Sequence, residues 1–365
     1  MSINQIKKSV AIICEYVLIP ERIGGMDRFF VAYDKALKDK GYQPVWFFKE
    51  AQDFDFYATL TINNANNKDV ESYFLNYCTL NNIKFDVVVT HFLQPVSSFF
   101  KKVKKQMNPY IINVDHNPRP LQGFPLKKRI KNKIKGLLYG KYIDKLVGVS
   151  AYTKKHILSD FGFYLNDKTV VIYNGIETNT CTKQVIDRYA APFKFIVVSH
   201  LRQSKGIQDL LKALSQIDMS LYKDMAVDIY GDGPYKNTLL KLTKAYQLED
   251  FVQFKGNSPK INELLGSYHY LIQPTYMECF SLSILESLAS NVPVITTTVG
   301  GNPEIIKNGV NGYIFKPKNV DVLAEIIKGV LDKSLSITED VSIEIEENYT
   351  LEMMVENHLK LITCI

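Results

Sequence analysis

The sequence predicts an α/β protein of two domains, each built around a parallel β-sheet. Short runs rich in β-branched and aromatic residues alternate with longer stretches of helical period from the first residues to about residue 335. This alternation is typical of parallel strands joined by crossover helices. The length of 365 residues corresponds to about two domains of ordinary size. Most of the strand-like runs are continuously apolar, as expected for strands that helices cover on both faces.

The candidate strands are divided equally between the two halves of the chain. In the first half they are Val10–Cys14, Pro44–Phe48, Asp86–Phe92, Tyr110–Val114, Lys145–Val149 and Thr169–Tyr173. In the second half they are Phe195–Ser199, Val227–Tyr230, Val252–Phe254, Tyr270–Gln273, Val292–Thr296 and Gly312–Phe315. With a helical stretch after most of these strands, each half can form a sheet of its own.

The boundary between the predicted domains falls where this alternation lapses. Residues 178–193 are mostly polar and end in an Ala-Ala-Pro run, after which a new strand begins. We therefore predict a first domain over residues 1–185 and a second over residues 186–345. A helical pattern at Tyr349–Ile362 follows the last element of the second domain. We expect this C-terminal segment, residues 346–365, to pack back on the first domain.

The composition indicates a soluble globular protein, with 46% hydrophobic and 22% charged residues. The cysteines are scattered and form no CxxC pair, which favours reduced thiols without structural zinc; they are Cys14, Cys78, Cys181, Cys279 and Cys364. The sequence contains no run of about 18 apolar residues, so it predicts no membrane span. The apolar run Val10–Cys14 is too short for a signal peptide and is interrupted by Glu15. We expect a cytoplasmic protein.

Charge is unevenly distributed between the two halves. Of the 44 Lys and Arg residues, 27 lie in residues 1–185 beside 16 of the 38 Asp and Glu, which gives +11 for the first half and −5 for the rest. Much of the excess comes from Lys127–Lys145, which holds eight basic residues and one acidic residue. The basic character therefore belongs to the first predicted domain.

The most informative segment begins where a predicted strand ends. After Gln273 the chain reads Pro-Thr-Tyr-Met-Glu-Cys-Phe-Ser and then follows a helical pattern from about Ser281. The free N–H groups and the dipole of a helix N-terminus in this position can hold a diphosphate. Glu278 precedes the helix and Glu286 lies about five residues into it. Their carboxylates can bracket a ligand there and accept hydrogen bonds from sugar or ribose hydroxyl groups.

Taken alone, these two glutamates could be a loop charge and a solvent-facing helix residue. Further motifs occur in order along the chain, namely Tyr173-Asn-Gly-Ile-Glu177, Ser199-His-Leu-Arg-Gln-Ser-Lys-Gly206, Ile229-Tyr-Gly-Asp-Gly-Pro234 and Val252-Gln-Phe-Lys-Gly256. As a set they resemble the retaining GT-B glycosyltransferases of glycosyltransferase family 4, over residues 170–316 in particular. The resemblance implies two Rossmann-like domains that face each other across a cleft and a sugar transfer from a nucleotide sugar with no metal.

The resemblance also implies a role for each matching residue. Glu286 would hold the ribose hydroxyl groups, Glu278 the transferred sugar, and Lys205 the diphosphate, whose charge cationic side chains and helix N-termini can meet without a metal. Where the family carries an arginine, this chain has His200, and we expect Arg202 to supply the guanidinium instead. The other expected donor-binding residues are Gly231, Gly233, Gly256, Asn257, Cys279, Phe280, Ser281 and Leu282.

Two features of the first domain match the same family more loosely. Gly24 and Gly25 lie between the first strand and the first helix, where a glycine pair lets the backbone approach a ligand. The alternative is an ordinary turn. His116 follows the strand Tyr110–Val114, and the family often has a histidine here beside the donor sugar. A histidine with a purely structural role is the alternative.

The basic segment Lys127–Lys145 allows two interpretations. Ile130, Ile134, Leu137 and Leu138 recur at helical spacing, which predicts a basic amphipathic helix. Such a helix can lie on an anionic membrane surface, which would bring the protein to a lipid-linked acceptor. Alternatively it docks its apolar stripe on the domain core and leaves its lysines in water. No recognition motif accompanies the charge, so nucleic acid is not an expected partner.

We therefore expect a retaining, metal-independent hexosyltransferase that uses a nucleotide sugar, with UDP as the default nucleotide. The acceptor would be a glycan or a lipid-linked saccharide in lipopolysaccharide or capsule biosynthesis, reached from the cytoplasm or from the inner face of the cell membrane. One alternative is a catalytically silent GT-B module that binds glycan or a partner, which the replacement of the family arginine by His200 keeps open. Another is a different GT-B nucleotide-sugar enzyme, such as an epimerase.

Overall fold

The computed structural model describes residues 8–184, 192–218 and 225–363. The chain forms two compact units. The first comprises the chain up to Asn117, Gly123–Asn174 and the segment from Leu351, and the second comprises Pro118–Gln122 and Gly175–Thr350. The boundary predicted between residues 185 and 186 lies outside the described residues.

The first unit is built around a seven-stranded parallel sheet with the strand order β3-β2-β1-β4-β5-β6-β7. Its strands are β1 (Ser9–Leu18), β2 (Gln43–Ala51), β3 (Ile62–Asn64), β4 (Val87–His91), β5 (Tyr110–Asp115), β6 (Lys145–Gly148) and β7 (Thr169–Val171). The helices between them are α1 (Gly25–Asp39), α2 (Val70–Leu80), α3 (Ser98–Met107), α4 (Leu126–Tyr139) and α5 (Ala151–Phe161). All predicted strands of this half are present. The edge strand β3 escaped prediction because it has three residues and one apolar side chain.

The second unit contains a six-stranded parallel sheet with the order β10-β9-β8-β11-β12-β13. Its strands are β8 (Lys194–Val198), β9 (Ala226–Tyr230), β10 (Val252–Gly256), β11 (Tyr270–Gln273), β12 (Val294–Thr297) and β13 (Gly312–Phe315). Its helices are α6 (Ile207–Leu214), α7 (Lys236–Ala245), α8 (Ile261–Leu264), α9 (Leu282–Ala289), α10 (Asn302–Ile305), α11 (Val320–Leu331) and α12 (Ile343–Asn348). Every strand predicted in this half is present, and the two parallel sheets confirm the predicted fold class.

The central strands are buried because helices cover both faces of each sheet. In the first unit Val10–Cys14 of β1 is fully buried, and the indole Nε1–H of Trp46 in β2 donates to Asp34 Oδ1 of α1 over 2.8 Å. Continuous apolar strands of this kind need cover on both sides, and the crossover helices provide it. The carboxyl ends of the strands remain at one edge of each sheet, where loops can carry polar side chains.

The last helix of the chain, α13 (Leu351–Thr363), belongs to the first unit. Its residue His358 is buried, and its ring lies 5.0 Å from the ring of Phe29 and 5.8 Å from that of Tyr33, measured between centroids. Both aromatic residues belong to α1, so the C-terminal helix packs on the first helix of the chain.

The burial pattern of helix α4 contradicts one of the two interpretations of the basic segment. Its buried residues are Asn132 and Gly136, not the apolar ones. A Cβ atom at Gly136 would lie 1.8 Å from the carbonyl oxygen of Phe161, which shows how closely α4 approaches the end of α5. The apolar side chains of α4 are exposed, namely Leu126, Ile130, Ile134, Leu137 and Leu138. The expectation that this stripe docks on the domain core is therefore wrong.

None of the helices in the described ranges combines the length and the apolar character needed to cross a bilayer.

Candidate functional site

The structure brings two of the candidate site residues of the second unit into direct contact. Lys205 Nζ lies 2.9 Å from Glu278 Oε2, and the two side chains are 23% and 18% exposed. Lys205 follows β8 and Glu278 follows β11, which are neighbours in the sheet. Because the carboxyl ends of parallel strands meet at one edge, both side chains reach the same place. A charge-assisted hydrogen bond of this length is a strong one.

The backbone around Lys205 is held against the segment after β11. Tyr276 N–H donates to Ser204 O over 2.7 Å. Gly206 has a φ of +72°, and a Cβ atom there would lie 1.8 Å from the carbonyl oxygen of Pro274. Any other residue would therefore be strained and would push the two loops apart. This glycine sets the separation at which Lys205 can reach Glu278.

Glu278 is positioned from its other side by the turn after β12. Gly300 has a φ of +64°, and a Cβ atom there would lie 2.1 Å from the carbonyl oxygen of Glu278. Gly301 N–H donates to Cys279 O over 2.8 Å. The glycine pair therefore packs directly against the backbone that carries the Glu278 side chain.

Helix α9 begins where the sequence predicts it to begin. Ser281 is the N-cap, and its Oγ accepts a hydrogen bond from Ile284 N–H over 3.4 Å. Cys279 N–H donates to Glu278 Oε1 over 3.1 Å, so the residue that follows Glu278 holds its carboxylate. The helix begins with Leu282. An anion at this end would meet free N–H groups and the positive end of the helix dipole.

Gln273, the last residue of β11, takes part in this arrangement and was not predicted. Its buried side chain donates to Ser281 Oγ over 2.8 Å and to Ser283 Oγ over 2.9 Å. These contacts fix the two hydroxyl groups at the start of α9. The signal in the sequence is a single polar residue at the end of the apolar run Tyr-Leu-Ile-Gln.

The loops after β8, β9 and β10 are joined by backbone hydrogen bonds. Gly231 N–H donates to Gly256 O over 2.8 Å, and Leu201 N–H donates to Asp232 O over 2.9 Å. Gly233 lies against the same loop, since a Cβ atom there would be 2.5 Å from the carbonyl oxygen of Leu201. The predicted donor-binding residues Gly231, Gly233 and Gly256 therefore lie in loops that contact one another at the carboxyl edge of this sheet.

The remaining candidates of the second unit differ in their exposure. Glu286 lies about one turn into α9 and is partly buried. His200 and Arg202 are exposed on the loop that leads to Lys205, and Asn257 is exposed after β10. Cys279, Phe280 and Ser281 are buried, and Leu282 is partly buried. Arg202 lies on the same loop as Lys205, and its guanidinium is accessible to a ligand.

In the first unit, a buried carboxylate holds the glycine loop. Asp27 Oδ2 accepts hydrogen bonds from Gly24 N–H over 2.9 Å and from Tyr16 Oη over 3.0 Å, and its Oδ1 accepts one from Tyr57 Oη over 2.8 Å. Gly25 is the first residue of α1. Three donors offset the cost of burying the charge. Asp27 was not among the predicted site residues, because its tyrosine partners Tyr16 and Tyr57 come from other elements of the chain.

His116 belongs to a group of three histidines in the first unit. Its Nε2 lies 3.0 Å from His91 Nδ1, and its ring stacks on Phe92 with centroids 4.3 Å apart. His91 in turn stacks on His358, at 6.1 Å between centroids. The pKa of all three histidines is lowered, mainly because they are buried. The pKa falls to about 3 for His116 and to about 4 for His358. His116 therefore has a structural partner in this unit and is neutral at pH 7.

These histidines predict that the first unit loses stability in mild acid. Each folded-state pKa lies below the unfolded value of about 6.5, so below that pH the unfolded chain binds more protons than the folded chain. The stability is fully present above about pH 6.5 and is lost as the pH falls toward the folded-state pKa values of His358 and His116, about 4 and 3. At pH 5 His358 and His116 should each lower the free energy of unfolding by about 2 kcal/mol. Denaturant unfolding at pH 8 and at pH 5 measures this loss.

The variant His358→Phe isolates one of these groups. Phenylalanine retains the ring packing against Phe29 and Tyr33 and cannot be protonated. We expect the loss of unfolding free energy between pH 8 and pH 5 to shrink by about 2 kcal/mol. An unchanged pH dependence in this variant would show that His358 does not take up a proton on unfolding.

Two family models match the chain in succession. Residues 23–180 match Glycosyltransferase Family 4, and residues 181–346 match Glycosyl transferases group 1. Together they cover residues 23–346, which include Gly24, His116, Lys205 and Glu278.

Individual relatives agree with this result over part of their length. N-acetyl-alpha-D-glucosaminyl L-malate synthase of Bacillus anthracis is 33% identical over 145 residues, which are 40% of this chain and 36% of the relative. The chain spans less than half the length of the first curated relatives it matches. Among solved structures, Anabaena Alr3699/HepE in complex with UDP has a TM-score of 0.78 at 16% identity, with 98% of this chain and all of that chain covered. The lipopolysaccharide outer core galactosyltransferase WaaB has a TM-score of 0.72 at 16% identity, covering 98% and 99%. These structures share the GT-B fold with the chain.

Proposed function

Because its two halves match these family models, the chain belongs to the GT4-type glycosyltransferases, and we propose that it moves a hexosyl residue from a nucleotide sugar to a glycan or a lipid-linked saccharide. The observation that carries the proposal is the Lys205–Glu278 pair beside the N-terminus of α9. It combines a cation, free backbone N–H groups and a carboxylate within one edge of the sheet. UDP is the favoured nucleotide, and the relative from Anabaena was solved with UDP bound.

The donor diphosphate would lie at the start of α9. There its charge meets the N–H groups of the first helical turn and the ammonium of Lys205, which supply electrostatic stabilisation without a metal. Lys205 has three N–H donors, so it can bind a phosphate oxygen while it still contacts Glu278. Arg202, exposed on the same loop, is placed to add a guanidinium. Glu286, about one turn into the helix, would accept hydrogen bonds from the ribose hydroxyl groups.

The transferred sugar would be held by Glu278, whose carboxylate accepts from two hydroxyl groups at once. In the proposed step the bond between the anomeric carbon and the diphosphate oxygen breaks, and the acceptor oxygen bonds to the same face of that carbon. The acceptor proton passes to an oxygen of the leaving phosphate. Retention of configuration follows from attack on the face that the leaving group departs from. Stabilisation of the phosphate charge by Lys205 lowers the barrier of this step.

The acceptor we propose is a lipid-linked saccharide of a surface polysaccharide, with the enzyme working at the inner face of the cell membrane. One relative is a putative colanic acid biosynthesis glycosyltransferase, WcaL, of Salmonella typhimurium, and one structural neighbour is the lipopolysaccharide outer core galactosyltransferase WaaB. The excess of basic residues in the first half and the exposed apolar side chains of α4 support a membrane surface, anionic and partly apolar, as the site where the enzyme acts.

A catalytically silent module is the second candidate. The specific observation in its favour is His200, which stands where the family carries an arginine and which is a weaker partner for a diphosphate when neutral. An epimerase on the same fold would also use a nucleotide sugar. Release of nucleoside diphosphate together with a new glycosidic linkage would exclude both alternatives.

The proposal is tested by a calorimetric and thermal-shift screen of the full chain against UDP, GDP, ADP and their common sugar conjugates, with chelator present. We expect one nucleotide to raise the Tm selectively. Glu286→Ala should weaken the binding of that nucleotide about 10- to 100-fold, because a hydrogen bond to a charged group contributes about 1.5–3 kcal/mol. Glu325→Ala, which removes an exposed glutamate of α11 in the same unit, is the matched control and should bind normally. Absence of binding to every nucleotide would favour the silent module.

A further inference from the structure

A basic cavity lies between α4 and α5 in the first unit. Its volume is about 630 Å³, and its lining includes Arg129 and Lys133 from α4, Lys154, Lys155 and Leu158 from α5, and Phe163 just beyond α5. Four of these residues are cationic, and none of the lining residues is acidic. Like charges in one cavity repel each other, so an anion that enters it gains their combined attraction.

Exposed apolar side chains adjoin this cavity. Leu126 is 69% exposed, Leu137 is 70% exposed, and Phe163, which lines the cavity, is 76% exposed. At about 100° per residue around the helix, Arg129 and Lys133 lie between the packed face of α4, marked by Asn132 and Gly136, and this apolar stripe. The cations therefore form a row next to the packed face of α4, and the leucines form a second row farther from it. Together the two rows make one amphipathic surface.

This order of rows matches the boundary of a lipid bilayer. In an interfacial helix, apolar side chains enter the acyl region while basic side chains remain at the level of the phosphate groups. Free phosphate would use the cations and leave the leucines in water. A second copy of the chain would bring two sets of four cations together across a symmetric contact, which like-charge repulsion opposes.

We propose that the α4–α5 cavity binds the phosphate of an anionic lipid headgroup while Leu126, Leu137 and Phe163 insert among the acyl chains. The inference deepens the proposed function, on which it rests, by naming the part of the chain that contacts the membrane. Arg129 and Lys133 supply the headgroup contacts from α4, and Lys154 and Lys155 supply them from α5. The enzyme would thus be held at the surface that carries a lipid-linked acceptor.

The test is co-sedimentation of the full chain with vesicles of phosphatidylcholine alone and with 30% phosphatidylglycerol. We expect binding to the anionic vesicles and little to the neutral ones. The double variant Arg129→Ala/Lys133→Ala should lower the partition coefficient about 25-fold, since each basic residue near an anionic surface contributes about fivefold. Lys241→Ala/Lys244→Ala, which removes two exposed lysines of α7, is the control of equal charge and should bind normally.

The apolar part is tested separately. Leu126→Ser/Leu137→Ser should reduce binding to anionic vesicles at least tenfold, whereas Leu80→Ser, at a leucine of α2 that is 84% exposed, should not. If Lys241→Ala/Lys244→Ala lost as much vesicle binding as Arg129→Ala/Lys133→Ala, net charge alone would explain the effect, and the proposal would be overturned. Displacement from vesicles by low millimolar inorganic phosphate, or self-association of the chain through Leu126 and Leu137 without vesicle binding, would also overturn it.

Nucleotide binding is measured in the same preparations to separate this inference from the proposed function. All surface variants should bind the nucleotide as the wild type does and should retain its Tm within a few degrees. Loss of vesicle binding with intact nucleotide binding supports the cavity as the membrane contact. A wild-type chain that binds nucleotide and ignores anionic vesicles would overturn the inference and leave the proposed transfer untouched.

Discussion

Replacing Lys205 with alanine should lower kcat for sugar transfer by about 10²–10³-fold, the effect that loss of one preorganised charge-stabilising donor has in other enzymes. The departing diphosphate gains negative charge in the transition state, and Lys205 is the cation that the structure places at the edge of the sheet beside α9. The loss should fall mainly on kcat and less on the apparent affinity for the donor, because the charge on the leaving group grows as the bond breaks. Initial rates with a saturating donor measure it.

Lys307→Ala is the matched control for this variant. Lys307 forms a 2.8 Å ion pair with Glu344 in the same unit, and its side chain is 59% exposed. An exposed pair contributes little to stability, so transfer should be unchanged. If Lys205→Ala retained near-normal kcat, the assignment of Lys205 to the diphosphate would be wrong.

Replacing Glu278 with glutamine should separate transfer from nucleotide binding. The amide keeps the size of the side chain and removes the charge, so it holds the sugar hydroxyl groups less well, and transfer should fall about 100-fold or more. Binding of the free nucleoside diphosphate should not weaken. Without the carboxylate, Lys205 loses its ion-pair partner and the diphosphate loses a nearby negative charge, and both changes favour the bound anion.

Kinetics and calorimetry on the same Glu278→Gln preparation measure the two quantities together. Glu344→Gln, which neutralises the carboxylate of the exposed pair with Lys307, serves as the control and should change neither. Parallel losses in transfer and in nucleoside diphosphate affinity would contradict a role of Glu278 toward the sugar. They would indicate that Glu278 supports the fold of the loop instead.

Local patterns in the sequence predicted the elements that the fold depends on. The strands of both sheets, except the short edge strand β3, follow from apolar runs, and the start of α9 at Ser281 follows from a capping serine; both signals act over a few residues. The approach of Lys205 to Glu278 follows from the rule that the carboxyl ends of parallel strands share an edge. The family resemblance had assigned both residues to the donor site separately, and the direct ion pair between them is a finding of the structure.

Features that depend on distant parts of the chain were not predictable in this way. Gly206 and Gly300 each lie against a carbonyl oxygen from another loop. Asp27 binds two tyrosine hydroxyl groups, and His358 reaches His91 from the far end of the chain. Such contacts are set by tertiary packing, and the sequence carries only a small or polar residue as a trace of them.

Helix α4 shows why periodicity alone can mislead. Its apolar stripe has the spacing of a core-facing helix, and one interpretation placed it in the core for that reason. The helix instead packs through Asn132 and Gly136, because glycine permits the closer approach to α5. The stripe is left exposed, so the same pattern that predicts burial marks a surface in this chain.

The central claim is that a nucleotide sugar binds at the Lys205–Glu278 pair and the N-terminus of α9. A crystal structure of the full chain with UDP tests it most directly. We expect a diphosphate oxygen within about 2.7–2.9 Å of Lys205 Nζ, further phosphate oxygens at the N–H groups that begin α9, and the ribose at Glu286. A nucleotide bound elsewhere on the chain, or a diphosphate that leaves Lys205 paired with Glu278 alone, would contradict the account.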